Sequence, residues 1–300
     1  MLISSPRKIV RLFRAAFSEW QEDHASRLAA ALAYYAAISL APLLIIVLGV
    51  AGLAFGSEAA SGQLKGQMED LIGPQSAELV QDIINYANMP AAGIVSSAAG
   101  MIVLLLGASG VFGALQDGLN TVWEVTPRPG RGIRGIIRDR FLSLTMVLGV
   151  GFLLLISLVV SAALAAVGKY MGGALLMPMF LLNGINAMVS FVVVAVLFAL
   201  IYKVLPDAEI GWGDVWIGAT LTALLFTIGK LVIGLYLGRS STASAYGAAG
   251  SLVIILIWIY YSAQILFFGA ELTQVYANRF GSRIRPAADA LSIAQPTSTK

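Results

Sequence analysis

Apolar residues occur along this chain in six long runs separated by shorter polar segments. The runs cover about residues 28–55, 91–115, 141–167, 185–205, 213–237 and 247–272. As a helix, each run is long enough to cross the roughly 30 Å of hydrocarbon in a bilayer. A membrane β-barrel would need short segments of alternating polarity, whereas these runs are continuously apolar. The pattern therefore predicts an all-α membrane protein with a bundle of six transmembrane helices over residues 28–272.

The segment before the first run has a two-sided pattern instead. Ser5 and Pro6 suit the start of a helix, and Ile9, Phe13 and Phe17 recur on one of its faces. The opposite face carries the basic residues Arg7, Lys8, Arg11 and Arg14. Residues 1–27 are thus predicted to hold an amphipathic interfacial helix whose cations face anionic headgroups. The same apolar face would also suit a helix packed under the bundle, so both placements stay open.

Three further segments connect or follow the runs. The acidic loop over residues 56–90 contains a short apolar helical face, which predicts a helix at the membrane boundary. Residues 170–182 are apolar but interrupted by glycine and proline, which favours an interfacial or re-entrant segment before the fourth helix. Residues 273–300 are expected to form a tail, disordered at its end after Pro286 because no apolar period remains.

Composition supports the membrane assignment and excludes several soluble classes. The chain has 300 residues, of which 58% are hydrophobic and 12% charged, and its mean hydropathy is +0.84. It contains no cysteine and a single histidine, His24. Disulfides, thiolate nucleophiles and cysteine or multi-histidine metal sites are therefore excluded, and no cofactor is expected.

The basic residues predict the orientation of the bundle. They gather in three segments: before the first run, between the second and third runs, and after the sixth run. Segments rich in Lys and Arg stay in the cytoplasm, so both termini are predicted inside and the loop over residues 56–90 outside. Six crossings, an even number, likewise require both termini to lie on the same side of the membrane.

Several motifs resemble those of one known family. They are RLAAALAYYAAISLAPLL in the first run, LNTVWE after the second, YKVLPD after the fourth, and YGAAGSLVIILIWIYY with FFGAEL in the sixth. In this order they resemble the YihY/virulence factor BrkB family, once labelled ribonuclease BN. The resemblance implies a multi-pass protein of the bacterial inner membrane with six helices. The family's molecular activity is poorly defined, so the resemblance implies little about mechanism.

Charged and amide side chains near membrane depth are the candidate functional residues, because unpaired ones are costly in hydrocarbon. Counting along the helices places Arg27, Asp117, Asn120 and Glu271 together at the inner boundary. We expect Arg27 to pair with Glu271 or Asp117. One alternative is that these residues are separate solvated charges without a shared site. The other is a functional one, in which Glu271 or Asp117 is a proton-coupling carboxyl.

Two other polar residues lie in the predicted spans. Lys230 falls in the outer leaflet, too far from Glu271 for contact. It either snorkels to the outer interface or faces inward, where it contacts a polar group of the sixth run such as Ser251 or an anionic substrate. Gln264 precedes Glu271 by one heptad and is expected to form an interhelical hydrogen bond. Ser109 and Gly113 have the spacing of closely packed helices, which is a packing signal more often than a pathway.

Three function classes remain. A transporter or translocator of a lipid-like or amphipathic substrate is favoured by the nearly all-membrane chain and its sparse buried polar residues. A scaffold or partner subunit for an envelope complex is the alternative. A membrane-bound ribonuclease is least favoured, since the scattered carboxylates form no metal motif. We therefore expect a non-enzymatic protein whose partners are membrane lipids and, in the scaffold case, envelope proteins, with no nucleic acid; the sequence does not determine an oligomeric state.

Overall fold

The computed structural model describes residues 6–39, 62, 78, 81–82, 110–129, 179–239 and 250–293. The third predicted span lies outside these residues. So do the later part of the first span, most of the second, the segment 170–178, and almost all of the loop 56–90.

Helices make up most of the described chain. They are α1 (Pro6–Glu22), α2 (25–39), α3 (110–122), α4 (Met179–Val204), α5 (Trp212–Arg239) and α6 (Gly250–Phe280). Three are long and apolar enough to cross a membrane, over Ala187–Val204, Trp212–Val232 and Leu252–Phe280. The last three predicted spans therefore coincide with helices of membrane-spanning length.

Two helix boundaries differ from those expected. The sixth span was predicted to end at Leu272, whereas α6 continues to Phe280. The helix α4 begins at Met179 and passes through Asn183 and Gly184, where a break was expected. A single glycine costs a helix only about 1 kcal/mol, which the strongly apolar sequence around it offsets.

The segment after α6 is structured, contrary to expectation. Strand β1 (Val125–Pro127) pairs antiparallel with β4 (Ala290–Ser292), and β2 (Ala208–Glu209) pairs antiparallel with β3 (Arg285–Pro286). The prediction of disorder directly after Pro286 is wrong for the residues up to 293. The strands β3 and β4 pair with segments that lie at least 76 residues earlier in the chain, so no local sequence pattern reveals these pairings.

The helices α5 and α6 pack closely through small residues. A Cβ added to Gly218 would overlap the Thr273 hydroxyl, and one added to Gly269 would overlap the Thr222 hydroxyl. Both threonine hydroxyls are satisfied within their own helices: Thr222 donates to the Gly218 carbonyl and Thr273 to the Gly269 carbonyl, each at 2.7 Å. The reciprocal pairing of glycine with threonine lets the two backbones approach without leaving a polar group unsatisfied.

The helix α1 packs on α6 with one side only. Leu12 and Ala16 are buried against Leu272 and Val275, and the ring centroids of Phe13 and Phe268 are 6.2 Å apart. Its basic side chains Arg7, Lys8, Arg11 and Arg14 are exposed. The contact fixes α1 across the C-terminal half of α6, which positions the site described next.

Candidate functional site

A sharp turn between α1 and α2 brings acidic residues to α6. His24 adopts a φ of 50°, in the left-handed region that residues with a Cβ rarely occupy. The Asp23 backbone N–H donates to the Glu19 carbonyl at 2.8 Å and the His24 N–H to the Gln21 carbonyl at 3.1 Å. This reversal ends α1 and leaves the Asp23 side chain within hydrogen-bonding reach of Glu271.

Glu271 is the most unusual polar residue of α6. Its exposed fraction is 0%, like that of the neighbouring Ala270. In the part of the chain that the structure describes, neither carboxylate oxygen has a hydrogen-bond donor facing it. A buried charge without a donor or a counter-charge is strongly disfavoured, so this side chain requires an explanation.

Three other carboxyls lie near Glu271. Asp23 lies in the α1–α2 turn, Glu19 in the last turns of α1, and Glu124 directly after α3, and all three interact with Glu271 electrostatically. Glu124, like His24, has a left-handed backbone, with φ of 53°. We call Glu19, Asp23, Glu124 and Glu271 the acidic cluster.

Burial and like charge favour the protonated forms of Asp23 and Glu19. Burial raises the pKa of Asp23 to about 6, with further contributions from the negative charges of Glu19 and Glu124, while its hydrogen bond to Glu271 acts in the opposite direction. Burial likewise raises the pKa of Glu19, assisted by Glu22 and Glu124 and opposed by Arg279. Because two carboxylates have no proton to donate, Asp23 and Glu271 can hydrogen-bond each other only when one of them is protonated.

The expected pairing of Arg27 with Glu271 is wrong. Arg27 is exposed in the first turn of α2, and no donor reaches the Glu271 carboxylate among the described residues. Helix counting placed both residues at one depth, but depth does not fix the direction in which a side chain points. Asp117 is exposed on α3, where its backbone carbonyl accepts a hydrogen bond from Thr121, and its pairing with Arg27 stays a prediction.

Asn120 joins a buried polar contact that the sequence did not reveal. It is 4% exposed and hydrogen-bonds Asp207, which follows α4 and is also 4% exposed. Gln116 donates to the same Asp207 oxygen at 3.3 Å. Asp207 is the last residue of the motif YKVLPD. The motif draws attention to Asp207 in the sequence but does not indicate that Asn120 is its partner.

A second acidic residue missed by the sequence ties α5 to the end of α6. Asp214 Oδ2 accepts hydrogen bonds from the Ser282 backbone N–H at 2.8 Å and from its hydroxyl at 2.7 Å. A Cβ on Gly281 would overlap the same carboxylate. Asp214 therefore closes the turn after α6 and has a structural role.

The remaining candidates lie away from the acidic cluster. Lys230 is exposed on α5, and its neighbour Gly229 faces Tyr261 on α6. Tyr261 precedes Glu271 by ten residues, or about 15 Å of helix, so Lys230 and Glu271 are separated in depth as expected. The Oε1 atom of Gln264 is buried and has no partner within the described ranges, so the expected hydrogen bond is not made at that oxygen.

An apolar cavity of about 530 Å³ lies beside the α1–α6 contact. Its walls come from four helices: Ile9, Leu12 and Phe13 of α1, Phe191 of α4, Trp216, Ile217, Thr220, Leu221 and Leu224 of α5, and Leu272 and Tyr276 of α6. Trp216, Ile217 and Leu224 are themselves more than 40% exposed, at 43%, 41% and 47%. The cavity therefore opens at the protein surface and can admit an apolar chain from outside.

The carboxyls do not form a metal centre in the described part of the chain. No group of three or more His, Asp or Glu side chains there has an arrangement that could hold a metal ion. The chemistry available to the acidic cluster is the binding of protons, and that of the cavity is the binding of apolar groups.

Sequence comparisons extend the motif resemblance over almost the whole chain. Residues 16–294 match the family described as virulence factor BrkB. A protein named UPF0761 membrane protein from Halorhodospira halophila is 28% identical over 260 residues, covering 85% of this chain and 54% of that protein. One of the same name from Verminephrobacter eiseniae is 30% identical over 260 residues, covering 85% and 59%.

Relatives of different lengths match the same region. The chain spans little more than half the length of the Halorhodospira and Verminephrobacter proteins. A UPF0761 membrane protein from Actinobacillus pleuropneumoniae is 25% identical over 286 residues, covering 91% of this chain and 94% of that protein. No solved structure matches the chain significantly.

Proposed function

The chain belongs to the virulence factor BrkB family, whose relatives are membrane proteins, and on this premise we propose that it transports or translocates a lipid-like, amphipathic substrate. The observation that supports this proposal is the apolar cavity between α1 and the membrane-spanning helices. Its volume of about 530 Å³ is of the size that ligand sites occupy, roughly 300–1,000 Å³.

We propose an acyl chain as the occupant of this cavity. The cavity opens beside Trp216 and Ile217 of a helix long enough to cross the membrane, where lipid tails are the available apolar groups. The exposed cations of α1 lie on the same short helix that contributes Leu12 and Phe13 to the wall. An anionic or zwitterionic headgroup held by these cations would place its chain next to the opening.

The membrane arrangement that accompanies this proposal is the one expected from the sequence. Six helices cross the bacterial inner membrane, both terminal segments face the cytoplasm, and α1 lies in the inner headgroup layer. Membrane lipids are then the principal partners, and the protein moves its substrate without chemical conversion. A scaffold for an envelope complex would need the same membrane arrangement but not the cavity.

Translocation in reconstituted vesicles tests the proposal. The full chain is incorporated into vesicles of anionic and zwitterionic phospholipid, and the movement of a headgroup-labelled fluorescent phospholipid between leaflets is followed with a membrane-impermeant quencher. The protein is expected to accelerate this movement severalfold over protein-free vesicles. Leu221→Trp fills the cavity and should abolish most of the acceleration.

The control is a matched substitution on the same helix. Leu231→Trp adds the same ring at a position that is 62% exposed and does not line the cavity, so it should leave the rate unchanged. Mass spectrometry of the purified protein should find retained lipid in wild type and less in Leu221→Trp. Vesicles that translocate no lipid faster than protein-free controls, with purified protein that retains none, would overturn the proposal and favour a scaffold.

A further inference from the structure

The contact between Glu271 and Asp23 joins two parts of the molecule through carboxyls alone. Glu271 belongs to a membrane-spanning helix and is fully buried, whereas Asp23 lies in the turn between α1 and α2 and is partly exposed. Neither Glu271 oxygen faces a donor in the described structure, and Asp23 is in hydrogen-bonding reach. A proton bound by either carboxyl would supply the donor that two carboxylates cannot provide.

We propose that Glu271 and Asp23 form a proton-binding site, in which one proton shared by the two carboxyls holds the α1–α2 turn against α6. Two neighbouring carboxyls, one of them fully buried, cannot both ionise at low cost, so they take up one proton as a pair. The use of this proton to drive substrate movement rests on the proposed function. Proton binding by the pair does not.

The charged groups around the pair favour a proton over a larger cation. Glu19 and Glu22 of α1 and Glu124 after α3 place further negative charge near the pair, on two different elements. Two cations belong to neighbouring elements: the positive charge of Arg279 on α6 lowers the pKa of Glu19, and the Arg27 side chain on α2 is exposed. The carboxyls do not converge as ligands of a metal ion among the described residues, but two of them are close enough to share a hydrogen.

The difference in burial defines the path of the proton. Water reaches the partly exposed Asp23 but not Glu271, so the proton enters and leaves through Asp23. On release, the shared O–H bond breaks, the proton passes to water to give hydronium, and both carboxylates remain charged. Their repulsion then opposes the contact of α1 with α6, which is also the seam that the apolar cavity adjoins through Leu12 and Leu272.

Infrared difference spectroscopy tests the site directly. The full chain in lipid vesicles is compared at acid and alkaline pH, and the C=O stretch of protonated carboxyls is recorded. Wild type is expected to lose one such band as the pH rises. Glu271→Gln removes a member of the pair and should abolish the band, and Asp23→Asn should shift its pH midpoint, because the partner that shares the proton is gone.

Two further variants complete the test. Glu22→Gln neutralises an exposed carboxyl of the same turn and should leave the band in place. Glu271→Asp keeps a carboxyl and should move the band without abolishing it, which keeps the test available if Glu271→Gln does not fold. A wild-type spectrum with no titrating carboxyl band, or a band identical in Glu271→Gln, would overturn the proposal.

The outcome is separable from that of the transport assay. A titrating band that depends on Glu271, in a protein that moves no lipid, would support the proton site and contradict the proposed function. Lipid movement without such a band would overturn the proton site and support the function. Where both are seen, an imposed pH gradient should change the transport rate in wild type severalfold more than in Glu271→Gln.

Discussion

Asn120 and Asp207 hydrogen-bond each other twice, through the Asn120 amide nitrogen to Asp207 Oδ2 at 3.0 Å and through the Asp207 backbone N–H to Asn120 Oδ1 at 2.8 Å. The Asp207 carbonyl also accepts from the Ala287 N–H at 2.9 Å. Asp207, in the turn after α4, thus joins the end of α3 to the segment after α6. Asn120, a candidate site residue by sequence, holds the bundle together at this end.

Replacing Asn120 by alanine should destabilise the protein. The change removes both hydrogen bonds that Asn120 makes with the buried Asp207, a loss of about 1.5–3 kcal/mol. Gln116→Ala removes only the 3.3 Å bond and should cost clearly less. Thermal unfolding of the detergent-purified proteins measures both, and equal losses would contradict the role given to Asn120.

The α5–α6 crossing predicts opposite effects of two glycine substitutions. Gly269→Ala places a Cβ against the Thr222 hydroxyl and near the Tyr202 hydroxyl, and should cost about 1–3 kcal/mol through overpacking. Gly184→Ala adds a Cβ in open space within α4 among the described residues, and should stabilise the helix by about 0.5–1 kcal/mol. A melting temperature of Gly269→Ala at or above that of wild type would contradict the close approach of α5 and α6.

Asp23 should make stability depend on pH. Its folded-state pKa of about 6 lies above the ordinary value of 3.8, so the folded chain binds this proton more tightly than the unfolded chain does. The stabilisation is fully present below about pH 4 and is lost as the pH rises through about 6. The melting temperature of wild type should fall over this range relative to that of Asp23→Asn. Parallel curves for the two proteins would refute this contribution.

The proposed orientation can be checked with single cysteines, because the chain has none of its own. A cysteine at Ser76, in the loop predicted outside, should react with an impermeant reagent on intact cells. One at Arg283, an exposed position directly after α6, should react only after lysis. The reverse pattern would exclude the orientation with both terminal segments in the cytoplasm.

Lys230→Met should leave lipid translocation within about twofold of wild type, a change worth less than about 0.5 kcal/mol. The exposed position of Lys230 fits the snorkelling alternative, in which the ammonium group reaches the interface and contacts no substrate. Membrane abundance, measured alongside, shows whether insertion is affected. A severalfold loss of translocation at normal abundance would place Lys230 in the substrate path.

The sequence by itself determined those helices that follow from the pattern of residues within their own segment. Long apolar runs gave α4, α5 and α6, because every backbone group in a membrane-spanning helix is satisfied within its own segment. The two-sided pattern of residues 6–20 likewise gave α1. Family membership was also readable, since the motifs keep their order from the first run to the sixth. The counting of depth kept Lys230 apart from Glu271, as the structure does.

Only the tertiary structure decided which side chains meet. Depth along a helix follows from residue number, but direction depends on rotation about the axis and on turns such as the left-handed one at His24. That turn brings Asp23 to Glu271, where Arg27 was expected. The same limit applies to Gly113, which meets open space among the described residues, while the close crossing is made by Gly218 and Gly269. Small residues permit close approach at many positions, and the packing of whole helices selects the positions used.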